Sequence, residues 1–527
     1  MGTPPLPDDA AFERAAGAGR SNLAMAPVLL LAGLVAVVVV ARALDPADYA
    51  VFAAAIAFRG LMGYIGDLGT GTAATRLYAQ LLADGAGAQA RAIYRRLILL
   101  RLPVVAVLIA VVTLADEQVA EMTGLVGAER SLITLFALIA AFEVTSTLGT
   151  SVLLGLFKHS TVNRLTLVST LVQPAVIIGA VAAGFGVRGV VAGVVAGSAL
   201  RSLGGNGLAI RALRRTNDSG NRLAEVTRSY VRVASSALVG KLAAIVNQRQ
   251  VLTFVGLSAF GRPEVAAFAL AYDFTLQTLN AIASPVYSLL LPGLTAIKDD
   301  RARTQRSFAL VTRILALAVG VPAVALAVLF GVLVSTVFGG AYAHAEPYGV
   351  VFLLFFALEV ILSGPATSLM LADETLGQAY RTTKAVTIAA ALLYLPLLTW
   401  SLLAAAVTMM AIRLVSALAL HVVIARATGM RVDGRWIVPC SLVLLATGAA
   451  ASVPAVLGVQ GIAGLIAGLA LAAAAALMSV RATRALDADD VDVVVRAVPA
   501  VARPLSLLSP TSTPGRTVGG HDGTRRS

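Results

Sequence analysis

The sequence predicts an all-α, polytopic membrane protein of about fourteen transmembrane helices, arranged as two pseudo-symmetric six-helix lobes followed by two extra C-terminal helices. Three observations predict this fold class: the composition, the distribution of basic residues and an internal repeat. Hydrophobic residues make up 58% of the 527 residues and charged residues only 13%, with a mean hydropathy of +0.86. A soluble domain has about 45–50% apolar and about 25% charged residues. A soluble enzyme, a disulfide scaffold and a disordered chain are therefore excluded.

The spans follow from windows of about 20 mostly apolar residues, the length that a membrane helix requires. The predicted spans are 22–42, 49–68, 97–115, 130–156, 165–185, 189–211, 231–257, 264–291, 307–338, 347–371, 382–400, 402–425, 437–457 and 459–480. They define an N-terminal lobe at 22–212, a basic cytoplasmic linker at 213–230, a C-terminal lobe at 231–426 and two additional helices at 437–480. The polar segments 1–21 and 481–527 are expected to be disordered cytoplasmic tails.

The basic residues support an even number of spans. If the N-terminus is cytoplasmic, 32 Lys and Arg residues fall on the cytoplasmic side. Only Arg42, Arg130, Arg188 and Arg262 fall on the opposite side. This asymmetry follows the positive-inside rule, and it explains the net charge of +13 without nucleic acid as a partner.

An internal repeat is visible when the chain is offset by 216 residues. At this offset Glu143 of the fourth span falls on Glu359 of the tenth, and the segment 48–58 falls on 264–274. Each copy holds six helices and therefore inserts in the same orientation. Parallel repeats of this kind place a substrate between two halves that rock against each other.

Ionisable residues near mid-depth mark the candidate site, because charges within a bilayer face a cavity or one another. The cations, to which an anion-binding role is assigned, are Arg59, Lys241, Arg249, Arg413 and Arg201. The acids, candidates for ion coupling, are Glu143, Glu359 and Asp273. Five cations against three acids predict a cavity with surplus positive charge. Arginine binds oxyanions bidentately, so the expected cargo contains phosphate or another anion.

A polar stripe on the eighth span indicates the wall of that cavity. Asp273, Gln277, Asn280 and Ser284 lie on one helical face, and Gln248 on the seventh span adds to it. Two interpretations of the charges remain open. Arg59, Arg201 and Arg413 either face the cargo or pair with an acid inside one lobe, and Glu143 and Glu359 either carry protons or bond neighbouring helices.

Neither a catalytic site nor a metal or cofactor site is predicted. The single cysteine, Cys440, excludes an intrachain disulfide, and the four histidines are far apart. The segment 184–189 fits G-x-G-x-x-G, but it lies at a turn between two membrane helices rather than after a strand. The outer loops are short, which argues against a membrane glycosyltransferase.

Several segments resemble Wzx-type oligosaccharide flippases. The segment Ala41-Arg-Ala-Leu-Asp-Pro-Ala-Asp-Tyr-Ala-Val-Phe52 resembles the entry to the family's second helix, and Asp67-Leu-Gly69 with Arg76 resembles its end. Leu289-Leu-Leu-Pro-Gly-Leu294 resembles the close of the eighth helix, and Phe338-Gly-Gly-Ala-Tyr342 the segment before the tenth. The sequence departs from the family at 248–250, where relatives often carry an acid, and at 266–268.

The resemblance implies the polysaccharide transporter branch of the superfamily that also holds multidrug exporters and the lipid II flippase. It implies that undecaprenyl-pyrophosphate-linked oligosaccharide repeat units cross the bacterial cytoplasmic membrane by alternating access, for cell-surface polysaccharide biosynthesis. Implied partners are the lipid-linked glycan, membrane lipids, H⁺ or Na⁺, and other glycan-assembly membrane proteins. The alternatives are an ion-coupled multidrug exporter of the same fold, a lipid II-type flippase, a membrane enzyme and a non-transporting scaffold.

Overall fold

The computed structural model describes residues 9–67, 70–83, 86–123, 125, 127–156, 158–215, 238, 241–242, 245, 249–297, 300–372, 377–394, 396–428, 434–483 and 485–486. These residues form helices joined by short turns, with no β-strand among them. The all-α fold class is therefore confirmed. Most of the linker at 213–230, most of the tail at 481–527, and Gln248 lie outside the described residues.

The described part of the N-terminal half is built around one central helix. Its helices are α1 (Asp9–Ala43), α2 (Pro46–Asp67), α3 (Thr70–Ala83), α4 (Gly87–Leu114), α5 (Asp116–Thr123), α6 (Ile133–Gly155), α7 (His159–Ala182) and α8 (Gly186–Leu213). Helix α6 packs against α2, α3, α4 and α8, while α7 packs against α8 and α1. The acid of the fourth predicted span is therefore carried by the helix at the centre of the lobe.

The C-terminal half repeats this arrangement. Its described helices are α9 (Arg249–Ala259), α10 (Arg262–Ile297), α11 (Arg301–Leu333), α12 (Glu346–Ala372), α13 (Gly377–Ala391), α14 (Leu402–Thr428), α15 (Ile437–Val456) and α16 (Gly461–Thr483). Helix α12 packs against α10, α11 and α14. Helices α15 and α16 pack against each other and against α11, so the two extra helices flank the C-terminal lobe.

Ten helices of the described residues are long and apolar enough to cross a membrane. They correspond to ten of the fourteen predicted spans. Of the other four, α1 has a shorter apolar part at Pro27–Ala43, α10 is a helix of 36 residues, and the spans at 231–257 and 382–400 are only partly described or partly helical. The chain is a multi-pass membrane protein, and the count of fourteen stays a prediction.

Three elements differ from the prediction. Helix α1 begins at Asp9, within the segment 1–21 for which disorder is expected, because residues 9–20 are rich in alanine and other good helix formers. A separate helix, α3, follows α2. The span at 382–400 is helical only to Ala391 and continues as 3-10 turns, because Pro396 has no N–H for a helical hydrogen bond.

The two lobes contact each other through α1 and α2, which pack against α10, and through α9, which packs against α2. Asp45 caps α2 by accepting a hydrogen bond from the backbone N–H of Asp48 at 2.8 Å, and Pro46 occupies the first helical position. Opposite this cap, a π-helical turn at Val334–Phe338 ends at Gly339, whose φ of 104° suits a residue without a Cβ.

Candidate functional site

A buried carboxylate, Glu143 on α6, joins three helices of the N-terminal lobe. Its Oε1 accepts hydrogen bonds from Ser198 and Arg201 of α8, each at 2.8 Å. The Nε of Arg59 on α2 lies 3.9 Å from the same oxygen, and its Nη1 donates to Gln173 of α7 at 2.6 Å. One carboxylate is thus shared by two guanidinium groups.

A second shared carboxylate lies at the end of α2. Asp67 is 3% exposed, with Oδ1 3.9 Å from Nη2 of Arg101 on α4 and Oδ2 3.1 Å from Nζ of Lys241. Arg101 also donates hydrogen bonds of 2.6 Å to the hydroxyls of Thr147 and Thr70. Arg101 belongs to the N-terminal lobe and Lys241 to the C-terminal segment, so Asp67 is an ionic contact between the lobes.

Two ion pairs in the C-terminal half each join one arginine to one carboxylate. Arg413 of α14 donates from Nε and Nη2 to the two oxygens of Glu359 on α12, at 2.8 and 3.0 Å. Its guanidinium carbon lies 4.7 Å from the ring centroid of Phe356. Arg249 of α9 donates to Oδ2 of Asp273 on α10 at 2.5 Å. These two pairs are neutral. Among the described ion pairs, the surplus positive charge therefore lies in the two clusters in which one acid, Glu143 or Asp67, is shared by two cations.

The acids that the repeat aligns, Glu143 and Glu359, occupy equivalent places. Each lies on the fourth predicted span of its lobe and pairs with an arginine on the sixth, Arg201 or Arg413. The arginines themselves are offset by 212 rather than 216 residues, a difference of about one helical turn. The pairs therefore support the repeat that the sequence indicates.

Two adjoining cavities lie where the lobes meet. The small chamber has a volume of about 320 Å³ and takes residues from both lobes. Its polar lining residues are Arg59, Thr170, Gln173, Arg249, Gln250, Asp273 and Gln277, with Tyr272 beside them. The large chamber has a volume of about 520 Å³ and is lined mainly by the C-terminal lobe. Tyr272 and Leu276 line both chambers, so they form the partition between them.

The predicted site residues are divided between these chambers. Arg59, Arg249, Asp273 and Gln277 line the small chamber. Asn280, Glu359 and Arg413 line the large chamber. Arg201 and Glu143 pair with each other behind the small chamber, and Lys241 pairs with Asp67 at the contact between the lobes. Ser284, at the exposed end of the polar stripe, lines neither chamber.

The sequence does not predict three features of the site: Arg101, the aromatic lining of the large chamber and Gln173. Its spans place Arg101 near a loop, but α4 begins at Gly87 and carries it into the interior, where it contacts Asp67. The aromatic lining of the large chamber, Tyr64, Tyr272, Tyr287 and Phe356, carries no charge signal. Gln173 bonds Arg59 and lines the small chamber. The sequence signal that could have pointed to it is the adjacent Pro174 in the middle of the fifth predicted span. Within the described part of the chain, no group of three or more His, Cys, Asp or Glu could hold a metal ion.

Comparison with known families finds one match by sequence. A sequence model described as "Polysaccharide biosynthesis protein" matches residues 39–347, more than half of the chain. This range includes α2, the small-chamber residues Arg59 and Arg249, and the π-helical turn at 334–338. No curated protein sequence matches the chain.

Solved structures share the fold at low sequence identity. The lipid II flippase MurJ in an inward closed conformation matches with a TM-score of 0.65 and 13% identity, over 87% of this chain and 97% of MurJ. An inward-facing multidrug resistance MATE family transporter of the MOP superfamily matches with a TM-score of 0.57 and 16% identity, over 78% of this chain and 98% of its own. A mutant of the Vibrio cholerae MATE transporter VcmN matches at 0.53 and 15% identity, over 80% and 99%. The superfamily fold implied by the resemblance is confirmed.

Proposed function

The chain belongs to the polysaccharide biosynthesis protein family, and we propose that it is a flippase for undecaprenyl-pyrophosphate-linked oligosaccharide, working by alternating access. The two-lobed fold is the one found in MurJ and in MATE transporters. The small chamber lies between its lobes, the place where a transporter built from parallel repeats binds its substrate, and the large chamber adjoins it. The family and the cavities together favour a carrier of glycan precursors.

The observation that carries this proposal is the position of Arg59. It comes from the N-terminal lobe and lines the small chamber together with Arg249 and Asp273 of the C-terminal segment. The carboxylate nearest to Arg59, Glu143, is already bonded to Arg201 at 2.8 Å, whereas it lies 3.9 Å from Arg59. Of the two arginines that line the small chamber, Arg59 therefore has the greater remaining capacity to bind an oxyanion, because Arg249 is paired with Asp273 at 2.5 Å, and we assign the pyrophosphate to Arg59.

Arg249 supports the same assignment in a different way. It contributes a second guanidinium to the chamber lining, and Asp273 fixes it at 2.5 Å. The two arginines and one carboxylate leave the described lining with a net charge of +1. Arg59 and Arg249 come from opposite lobes, so an anion bound to both would draw the lobes together. The anion would be released when the lobes separate.

The test is transport of a fluorescent, polyprenyl-pyrophosphate-linked oligosaccharide in proteoliposomes that contain the full chain. We expect Arg59→Ala to slow transfer by about tenfold or more, since a charge-assisted hydrogen bond to phosphate is lost, and Arg59→Lys to restore part of it. Arg130→Ala is the matched control, because Arg130 is exposed and pairs with exposed Glu117 at 3.5 Å. Its rate should equal that of the unmodified protein.

Unchanged transfer by Arg59→Ala would contradict the assignment of the pyrophosphate. A protein that moves no lipid-linked glycan but lowers the accumulation of cationic dyes in cells would instead establish the multidrug alternative. A fluorescent lipid II probe in the same assay tests the remaining alternative, and faster transfer of lipid II than of the oligosaccharide lipid would decide in its favour. The coupling ion is tested by repeating the assay with a Na⁺ or a H⁺ gradient. Glu143 is our first candidate for the residue that binds this ion.

A further inference from the structure

The walls of the large chamber differ in chemistry from those of the small chamber. Four aromatic side chains line it: Tyr64, Tyr272, Tyr287 and Phe356. Between them are short hydrogen-bonding side chains, which are Asn280, Ser363, Thr367 and Ser368. Its volume of about 520 Å³ lies within the range of small-molecule sites, about 300–1,000 Å³. Aromatic rings interleaved with hydroxyl and amide groups are the surface that a pyranose ring requires, because a pyranose has an apolar C–H face and a rim of hydroxyl groups.

One of these rings is held rigidly. The hydroxyl of Tyr287 on α10 donates to the carbonyl of Val360 on α12 at 2.6 Å. The ring lies against Gly364, where a Cβ would collide with it. Tyr287 is therefore fixed at both its tip and its edge, and it presents a pre-organised surface to the chamber at little entropic cost on binding.

The charges of the large chamber cancel. Its only described lining charges are Glu359 and Arg413, which bond each other through two hydrogen bonds. Lys384 on α13 interacts electrostatically with this pair, but it is not a lining residue and its Nζ lies 5.6 Å from the ring centroid of Tyr380. Of the two chambers, the small one therefore has a described lining with net positive charge and the large one does not.

We propose that the large chamber is a sugar-binding subsite for neutral sugars, separate from the small chamber that takes the pyrophosphate. This inference rests on the proposed function and adds to it the class of glycan carried. Tyr272, which lines both chambers, would then mark the junction between the pyrophosphate and the first sugar. Tyr287, which is only half-buried, would stack against a sugar face, with Asn280 and Ser363 bonding the sugar hydroxyls.

The experiment measures the binding of three probes to the full chain in detergent: farnesyl pyrophosphate, the same lipid carrying a neutral glucose disaccharide, and the same lipid carrying a disaccharide with one glucuronic acid. For the unmodified protein we expect the neutral disaccharide to tighten binding relative to the sugar-free lipid. Tyr287→Ala should remove most of this gain, by about tenfold in Kd, since a ring contact and its pre-organisation are lost, and leave the sugar-free lipid unaffected.

Two further variants separate local from global effects. Gly364→Ala should reduce the sugar-dependent gain in the same direction, because its Cβ displaces the Tyr287 ring, and thermal unfolding checks that both variants remain folded. Trp400→Ala removes an aromatic ring that is 82% exposed and lies outside both chambers, so all three affinities should equal those of the unmodified protein.

The outcomes distinguish this inference from the proposed function. If both disaccharide lipids bind no tighter than farnesyl pyrophosphate, the subsite is wrong while the pyrophosphate site stands. If the glucuronic acid probe binds tighter than the neutral one, the preference for neutral sugars is wrong. If farnesyl pyrophosphate does not bind, or binds equally to Arg59→Ala, the proposed function itself fails.

Discussion

Glu143 and Glu359 occupy equivalent positions in the two lobes, yet they hold their arginines differently. Glu359 binds one arginine through two hydrogen bonds, the bidentate geometry that suits guanidinium and carboxylate best. Glu143 divides its charge between Arg201 and the more distant Arg59. The first arrangement occupies both oxygens of Glu359, from which we infer a structural role for this pair, whereas the second leaves Arg59 with capacity for a ligand.

This difference predicts a stability effect in the C-terminal lobe. Glu359→Gln should cost about 3–5 kcal/mol, because it leaves the guanidinium of Arg413 buried without a countercharge; the side chains are only 17% and 16% exposed. The double variant Glu359→Gln with Arg413→Gln should lose much less than the two single losses added together. Thermal unfolding in detergent measures all four proteins of this cycle. Strictly additive losses would show that the two residues do not act as a pair.

At the scale of helices, glycine residues allow α6 and α8 of the N-terminal lobe to pack closely against each other. Helices α6 and α8 meet where Gly149 faces Gly205, and a Cβ on Gly149 would lie 2.5 Å from the backbone carbonyl carbon of Gly205. The clash is with backbone, so no side-chain rotation relieves it. Small residues at such crossings allow membrane helices to pack closely, and this packing brings Ser198 and Arg201 within reach of Glu143.

Gly149→Ala should therefore destabilise the protein by about 1–3 kcal/mol, the usual cost of overpacking, and also weaken transport, because α8 carries Arg201. Gly207→Ala on α8, the helix that Gly149 of α6 faces, is the matched control, since a Cβ there meets nothing within 4 Å. It should leave stability unchanged or raise it slightly. Thermal unfolding and the flippase assay provide the two readouts, and equal effects of both substitutions would refute the crossing as the cause.

The existence of most long membrane helices was predictable from the sequence, because a long apolar run is enough to indicate one, whereas the polar helix α3 was not predicted. Ten predicted spans have a counterpart among the long apolar helices. Helix ends were less predictable: α4 begins at Gly87, ten residues before the predicted span at 97, because a helix continues beyond its apolar core when no proline or cap stops it. That extension placed Arg101 in the interior instead of at a loop.

The site was predictable only as a set of charges. Their mid-depth positions follow from counting along each span, but their partners depend on which helices are neighbours. The pairing of Glu143 with Arg201 requires α6 to pack on α8, and the pairing of Asp67 with Lys241 requires contact between lobes. The aromatic large chamber could not be derived from the sequence, because Tyr64, Tyr287 and Phe356 come from three different helices and resemble any other apolar residue of a span.

For the whole molecule, the lobes touch at both ends of α2, and two of the segments that carry the family resemblance meet at one of these ends. At its start, Arg42 donates to the carbonyls of Val337 and Thr336 in the π-helical turn at 2.7 and 2.6 Å. The hydroxyl of Tyr342 donates to the carbonyl of Leu44 at 3.1 Å, and Tyr342 also packs edge-on against Tyr49. At the other end of α2, Asp67 bonds Lys241. The two chambers lie between these contacts.

In an alternating-access cycle these two contacts cannot both persist, because each state opens one end. We expect Arg42→Ala to favour opening at the start of α2 and Lys241→Ala to favour opening at its other end. Neither change should unfold the chain: the carbonyl partners of Arg42 are near solvent, and Asp67 keeps Arg101 as a countercharge. Electron–electron spin distances report both ends in a Cys440→Ala background, which removes the only cysteine.

Exposed positions of the two lobes carry the spin labels: 185 and 335 at the first end, 92 and 302 at the other. Arg42→Ala should lengthen the 185–335 distances and leave the 92–302 distances unchanged or shorter, because opening one end of a rocking pair closes the opposite one. Lys241→Ala should give the reverse, and Arg130→Ala should change neither. If either substitution lengthened both pairs of distances, the lobes would be separating as a whole. The contacts at the two ends of α2 would then hold the lobes together without selecting between states.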